Sequence, residues 1–357
     1  MKCIFLLSGD YIKLAEEEIF SLFELKNYTL NYKLMIADVL NDINSFNKII
    51  KRLALTKRIY KLLFKCEIND LIEIMKNFDW NSVYRDNFCL RIKHIKKISS
   101  LRRNSFVDYS EKNLAGYVWR SLTNPKVNLK NPKTRIDLFF TGNRVYCCVL
   151  IKEISENFES RKAHLRPFPH PSSLHPRLAR ALVNITEIKD KEILLDPFCG
   201  TGGFLIESGL MGIKVIGYDI NKFMIRGCEN NLKNFNIKDF KIFHKNALKI
   251  LNRFDCIVTD LPYGLNSNVI LKYSKDNWKK YRISRRIQNK NFLASLENFY
   301  LLFLKNLRKR LKKKAVIIFP DYVDYKKLLK TAKFKIEREF SMYVHRSLTR
   351  KVLKISN

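Results

Sequence analysis

Between residues 192 and 319, short apolar runs recur, each separated from the next by enough chain for a helix. The runs are Glu192-Ile193-Leu194-Leu195, Val215-Ile216-Gly217-Tyr218, Phe240 to Phe243, Cys256-Ile257-Val258 and Ala315-Val316-Ile317-Ile318-Phe319. Parallel strands cannot be joined by tight turns and need a crossover connection, which a helix fills, so this alternation implies a doubly wound parallel sheet. Lys335 to Phe340 and Lys351 to Ile355 follow with no helix between them, which predicts an antiparallel pair at the end of that sheet. Ligands of open α/β sheets bind beyond the carboxyl ends of the strands, so the residues just after each run carry the functional information.

After the first run comes Asp196-Pro197-Phe198-Cys199-Gly200-Thr201-Gly202-Gly203, with a helix predicted from about Phe204. Glycines in the first strand-to-helix turn let backbone N–H groups approach a ligand closely. The register after Gly200-Thr201-Gly202 lacks the third glycine of the dinucleotide fingerprint, which disfavours a nicotinamide or flavin. Asp219 ends the second strand, where an acidic side chain can accept both hydrogens of a ribose diol. The structural alternatives are a tight turn without a ligand and an Asp that caps a helix at Asn221.

The fourth strand runs out at Val258-Thr259, so Asp260-Leu261-Pro262-Tyr263-Gly264 falls at the same edge as the glycine loop. The tetrapeptide Asp260 to Tyr263 answers a specific chemical need. The lone pair of an exocyclic base amine is delocalised into its ring, which makes the nitrogen a poor nucleophile. Asp260 Oδ and the Leu261 carbonyl can each accept one amine hydrogen, drawing the nitrogen towards tetrahedral geometry and aiming its lone pair. Pro262 fixes the chain at that point, and Tyr263 offers a face on which a base lifted from its stack can rest. Cys199 as a nucleophile is disfavoured by its place in the loop, where a small packing residue is needed. His164, His170 and His175 lack carboxylate or thiol partners at metal spacing and are read as solvated linker histidines, so no metal is expected.

Charge names the partner class. Lys and Arg number 68 against 34 Asp and Glu, a formal charge of +34, the sign a polyphosphate attracts. A lysine-rich genome composition is the alternative source of that excess. No stretch approaches the roughly 20 uninterrupted apolar residues of a membrane span, and the opening Met1 to Asp10 is too short an apolar run for a signal segment. Eight scattered cysteines without a Cys-x-x-Cys pair suit a reducing, cytoplasmic compartment.

Upstream of the alternating region the pattern is α+β. Residues 1 to about 60 hold short strand candidates and one clear helix, Ile12 to Phe23. From residue 61 to 155 a helical run, Asp108 to Ser121, leads into a hairpin of Ile136 to Phe140 and Val145 to Leu150 around Thr141-Gly142-Asn143-Arg144. Residues 156–175, with Arg161, Lys162, Arg166, Pro167, Pro169 and Pro171 and followed directly by Pro176, read as a solvated linker. The alternating strand-and-helix unit then spans 176–357, opening on a helix from His175 to Ile185 with Pro176 in its first turn.

Taken with Arg166-Pro167-Phe168-Pro169-His170-Pro171, Pro176 to Asn184, Asp196 to Gly203 and His345-Arg346-Ser347-Leu348-Thr349-Arg350, the Asp260 to Gly264 motif resembles the archaeal tRNA (guanine-10) N2-methyltransferases. The resemblance covers nearly the whole chain. It implies a Rossmann-like, seven-stranded methyltransferase domain that uses S-adenosylmethionine, preceded by an α+β region: a ferredoxin-like unit at 1–60 and a THUMP domain at 61–155 that binds tRNA. It also implies Asp260, Leu261, Pro262 and Tyr263 at the reacting amine, and Asp196, Phe198, Gly200, Thr201, Gly202, Asp219, Ile220, Asn246 and Ala247 around the cofactor. Asn246 stands where an acid is commoner beside the adenine ring, and Leu261 stands where the family has proline. The implied product is N2-methylguanosine and then N2,N2-dimethylguanosine at tRNA position 10, with no DNA, membrane or protein partner required. Alternatives are another RNA guanine, an adenine N6 amine, or an RNA-binding protein whose catalytic domain has lapsed.

Two basic stretches are candidates for RNA contact. Lys305, Arg308, Lys309, Arg310, Lys312, Lys313 and Lys314 are read as the end of a helix, where positive charge also suits the helix dipole. Lys272 to Lys290 mixes Tyr273, Trp278 and Tyr281 with Lys279, Lys280, Arg282, Arg285 and Arg286, and is expected to form a mobile loop at the site's mouth.

Overall fold

A computed structural model describes residues 1–95, 109–171, 173–263, 269–274, 277–281, 290–346 and 348–357. The chain forms two compact units, Met1–Lys51 with Leu55–Ser155, and Arg52–Ala54 with Glu156–Asn357.

The first unit runs β1 (Lys2–Leu7), α1 (Ile12–Leu22), β2 (Leu25–Asn31), β3 (Leu34–Val39), α2 (Ile43–Ile49) and β4 (Thr56–Glu67). It continues with α3 (Leu71–Asn77), β5 (Phe88–His94), α4 (Glu111–Ser121), β6 (Thr134–Thr141) and β7 (Arg144–Glu153). All seven strands make one sheet, in the order β2-β3-β1-β4-β7-β6-β5. The expected boundary at residue 60 falls inside β4, which pairs with β1 on one side and β7 on the other, so residues 1–60 and 61–155 share a sheet. The helix expected at Ile12 is present, and α2, started by the Asp42 side chain accepting from Asn44 N and Ser45 N, is a second one beside it. The hairpin after α4 is present as β6 and β7, paired antiparallel around the left-handed Gly142. Asp137 in β6 is fully buried and is held by Tyr60 Oη at 2.7 Å, Arg135 Nε at 3.0 Å and Lys93 Nζ.

The second unit begins with α5 (Pro176–Ile185), β8 (Ile193–Asp196), α6 (Gly203–Leu210), β9 (Lys214–Asp219), α7 (Lys222–Asn234), β10 (Phe240–His244) and β11 (Phe254–Asp260). A hairpin of β12 (Val269–Ser274) and β13 (Asn277–Tyr281) precedes α8 (Lys290–Arg310), β14 (Leu311–Pro320), α9 (Tyr325–Thr331), β15 (Lys335–His345) and β16 (Leu348–Ser356). The seven-stranded sheet has the order β10-β9-β8-β11-β14-β16-β15. The first five strands are parallel, and β16 and β15 are antiparallel, as the alternation followed by two helix-free runs requires.

The composition of β14 follows from this position. Ala315 to Phe319 are all fully buried, because helices cover both faces of a central strand and leave no solvent side for polar alternation. In α8, Leu296, Tyr300, Phe303, Leu304 and Leu307 recur at helical spacing and pack with Ala315, Ile317, Phe319 and Leu353 in one cluster. Each such buried side chain stabilises the unit by about 1.5–3 kcal/mol relative to exposure.

Two sequence expectations need correction. Residues 156–175 are not a solvated linker: they belong to the second unit, and Arg161 and Arg166 are buried in it. The basic cluster at 305–314 is not one helix end, since α8 stops at Arg310 and Lys312, Lys313 and Lys314 lie on β14. There Lys312 pairs with Asp255 at 3.0 Å, Lys313 with Glu192, and Lys314 with Glu187 at 2.5 Å and Glu337 at 3.0 Å, which neutralises much of the patch. In the aromatic and basic stretch at 272–290, Tyr273, Trp278, Lys279, Lys280 and Tyr281 fall on the β12–β13 hairpin. Arg282, Arg285, Arg286, Gly264 and Ser347 lie outside the described residues.

Candidate active site

Three carboxylates mark the carboxyl edge of the parallel strands: Asp196 ends β8, Asp219 ends β9 and Asp260 ends β11. Strand β8 lies between the other two, so the three acids stand side by side where the sheet reverses its order of connection.

Asp196 is buried and acts within the scaffold. Its Oδ1 accepts from Thr259 Oγ1 at 2.8 Å and from Phe198 N at 3.1 Å, tying the start of the glycine loop to the strand that carries Asp260. Burial pushes its pKa up to about 7, the two hydrogen bonds oppose that, and the neighbouring Asp219 and Asp260 charges add to it. Asp219 braces the loop from the other side: Oδ2 accepts from Gly200 N at 3.0 Å and Oδ1 from Asn221 N at 2.8 Å. Burial raises its pKa as well. Each Asp219 oxygen keeps a second lone pair for a ligand hydroxyl.

The loop itself needs glycine. Gly200 and Gly202 have φ of +51° and +88°, and a Cβ on Gly202 would come within 2.8 Å of Cys228 Sγ. Gly202→Ala is therefore strained in both backbone and packing. It is expected to cost about 1–3 kcal/mol of stability, read in a denaturant melt, and to weaken cofactor binding by calorimetry. A Cβ on Gly200 would meet nothing within 4 Å, so open space faces the loop there. That space, the turn's backbone and the spare lone pairs of Asp219 suit a nucleoside with a ribose diol.

The remaining cofactor candidates are distributed as follows. Phe198 is half-buried, edge-on to Phe303 at 5.1 Å and Phe299 at 6.0 Å. The Thr201 hydroxyl is engaged by Ser173 Oγ at 3.2 Å. Ile220 is exposed, and its carbonyl accepts from His244 Nε2 at 2.8 Å. Asn246 caps a short turn over Ala247–Lys249, with Oδ1 accepting from Leu248 N at 2.9 Å, and Ala247 is buried beneath it. Cys199 is buried, and its hydrogen bond with Cys228 and its burial hold the thiol protonated, which excludes a resting nucleophile.

At the tetrad, several polar groups are held by neighbouring elements. Leu261 N donates to Ile318 O at 3.2 Å, Tyr300 Oη donates to Pro262 O at 2.8 Å, and Tyr322 Oη donates to Tyr263 O at 2.6 Å. The Leu261 carbonyl accepts no hydrogen bond among the described residues, while its side chain is buried. Asp260 Oδ1 accepts from Tyr263 Oη, and Oδ2 lies 3.3 Å from Arg350 Nη2. Burial pushes Asp260 up to about 6 against the opposing pull of Arg350 and the Tyr263 hydrogen bond. Tyr263, expected as a stacking face, also has the Arg350 guanidinium 5.7 Å from its ring centroid.

Several residues that organise this edge escaped the sequence reading. Asn231 of α7 is fully buried: its Oδ1 accepts from Phe168 N at 2.9 Å, and its Nδ2 donates to Phe168 O and Thr201 O, both at 3.0 Å. It pins the proline-rich stretch to the glycine loop, with the Phe168 ring lodged against Gly227, where a Cβ would lie 2.3 Å from it. Glu207 of α6 is fully buried and pairs with Arg161 at 2.8 Å and Arg180 at 2.9 Å. A lone acid in the apolar run Phe204-Leu205-Ile206-Glu207 was the available signal, since such a group demands a cation. His175 is not simply solvated; its Nδ1 accepts from Arg177 N and caps α5.

A Rossmann-like sheet with this acidic edge falls in the methyltransferase class, and the model described as the RMKL-like methyltransferase domain matches residues 163–269. The fold as a whole is similar to the crystal structure of TrmN from Thermus thermophilus, with a TM-score of 0.51 at 15% identity over 99% of both chains. The tRNA (guanine(10)-N2)-dimethyltransferase of Methanothermobacter thermautotrophicus is 31% identical over 98% of each chain. That of Pyrococcus abyssi is 31% identical over 95% of this chain and 94% of its own. The chain belongs to the tRNA (guanine(10)-N2)-dimethyltransferase family.

Proposed function

We propose that this chain methylates the exocyclic N2 amine of guanosine 10 in tRNA, once and then a second time, with Asp260 and the Leu261 carbonyl as the groups that receive the amine. The observation that carries the reading is the engagement of the Pro262 and Tyr263 carbonyls by Tyr300 and Tyr322, which leaves the Leu261 carbonyl beside Asp260 as the backbone acceptor. S-adenosylmethionine supplies an electrophilic methyl group on a sulfonium. The Asp219 carboxylate suits the ribose of that donor, and Gly200, Gly202 and the turn between them suit close approach of its amino-acid end.

At the target, the Asp260 carboxylate and the Leu261 oxygen each take one amine hydrogen, which localises the nitrogen lone pair. The nitrogen gains a methyl group and must shed one proton, and Asp260 is the group beside it able to receive that proton. A second transfer remains open, because the singly methylated amine keeps one hydrogen for either acceptor. The first unit, Met1–Ser155 apart from Arg52–Ala54, is assigned to tRNA binding, in keeping with the THUMP resemblance and the net charge of +34. No helix among the described residues is long and apolar enough to cross a membrane, and all eight cysteines are free thiols, which supports a reducing cytosol as the compartment.

The test is direct. Purified protein is incubated with labelled S-adenosylmethionine and unmodified tRNA transcripts, and the product nucleoside is identified and mapped. N2-methylguanosine followed by N2,N2-dimethylguanosine at position 10 is expected. N6-methyladenosine, a different guanosine, or no product would refute the reading.

A further inference from the structure

We propose that Arg350 is a positioning residue for methyl transfer: from β16 it locks the Asp260 carboxylate and the Tyr263 hydroxyl into the one arrangement in which Asp260 can receive the target amine. This rests on the assignment of Asp260 as the amine-binding carboxylate.

In the sheet, β14 lies between β11 and β16, and Arg350 sits opposite Pro320, where β14 ends. Its side chain reaches past that end to the carboxyl terminus of β11, and only 14% of it is exposed. The guanidinium makes two contacts at once: Nη2 is 3.3 Å from Asp260 Oδ2, and Nε donates to Tyr263 Oη at 2.9 Å.

The direction of the third bond follows from the first two. A guanidinium has hydrogens to give and no lone pair to offer, so the Tyr263 oxygen accepts from Arg350 and directs its own hydrogen to Asp260 Oδ1. Arg350 thereby holds the carboxylate at both oxygens, directly at Oδ2 and through Tyr263 at Oδ1, while each oxygen keeps a lone pair for the amine. The charge matters as much as the geometry. Among the described residues, Asp260 is faced by Arg350 from β16, by Tyr263 from its own loop, by Asp196 from β8 and by Tyr300 from α8, and Arg350 is the one cation in that set. A protonated Asp260 would present a hydrogen on one oxygen where the amine needs an acceptor. Removing the cation raises the pKa of Asp260, so the acid limb of the rate profile must move to higher pH.

The experiment measures single-turnover methyl transfer against pH for the wild type, Arg350→Gln, Arg350→Lys and Asp260→Asn. Calorimetric S-adenosylhomocysteine affinity and tRNA affinity are measured alongside. Arg350→Gln is expected to lower the rate at neutral pH by about 10²-fold and to move the acid limb up by at least about one pH unit. Both affinities should stay within about twofold. Arg350→Lys keeps the charge and loses the fork, so the limb should return towards the wild-type position while the rate stays about tenfold low.

An unmoved limb in Arg350→Gln overturns the proposal, as does a rate loss accompanied by an equal loss of cofactor affinity. If Arg350→Gln does not fold, a wild-type rate in Arg350→Lys overturns it and a reduced rate with unchanged affinities supports it. Absence of N2-methylguanosine from the wild type would instead refute the proposed function. An active Asp260→Asn would refute the assignment of Asp260. Both outcomes are separable from a failure of the Arg350 variants alone.

Discussion

Asp260→Asn is expected to reduce methyl transfer by about 10²- to 10³-fold while leaving tRNA affinity within about twofold of wild type. The substitution preserves volume, so the tetrad backbone, held by Ile318, Tyr300 and Tyr322, should keep its course. What changes is the sign of one group. An amide presents an acceptor on one atom and a donor on the other. Either the donor faces Arg350, which has only hydrogens to offer, or it faces the Tyr263 hydroxyl and the incoming amine. The pH dependence of the wild type has the same origin. With Asp260 pushed up to about 6, the carboxylate is the majority form at pH 7 and above, and activity should fall roughly tenfold per unit once pH drops below that value. A rate flat down to pH 5 with a fully active Asn variant would remove Asp260 from the chemistry.

Glu207→Gln should have the largest effect on stability, about 3–5 kcal/mol, because it leaves Arg161 and Arg180 buried with half their compensation gone. Over a unit of this size that corresponds to a fall in Tm of roughly 6–20 °C. Glu156 contacts the same two arginines, at 3.0 Å and 3.5 Å, yet 37% of its side chain is exposed against none of Glu207. Water can therefore replace Glu156, and Glu156→Gln should cost no more than about 1 kcal/mol. Thermal and urea melts of the two variants decide the matter, and equal losses would mean that burial does not set the hierarchy. Since α6 starts at the glycine loop, the Glu207 variant should also bind the cofactor less tightly.

The residues already legible from the sequence share a property: their meaning depends on local order along the chain. The apolar runs that became β8, β9, β11 and β14 are short, continuous and bounded by helices, and a strand buried on both faces needs that pattern. Asp196, Asp219 and Asp260 could be placed together because each directly follows a parallel strand, and parallel strands end at one edge. Local pattern misled where partners decide exposure. Arg161 and Arg166 look solvated in a proline-rich stretch, yet the buried Glu207, 46 residues beyond Arg161, draws Arg161 inside, and Arg166 Nε bonds to the Arg161 carbonyl at 2.9 Å. Lys312 to Lys314 continue the basic end of α8 in sequence, yet a register on β14 delivers them to four different carboxylates.

By itself the sequence determined the class of fold, the sheet edge at which Asp196, Asp219 and Asp260 gather, and the carboxylate and backbone carbonyl proposed to receive an amine, since strand order, turn glycines and the tetrad are encoded within a few residues of one another. Only the tertiary structure decided what holds those groups ready. Arg350 lies ninety residues beyond Asp260, Asn231 thirty beyond Thr201, and Glu207 twenty-seven beyond Arg180, and their contacts arise from strand order and helix packing. A hydrogen bond or a buried ion pair acts over about 3 Å of space, and sequence spacing carries no record of that distance until the chain has folded.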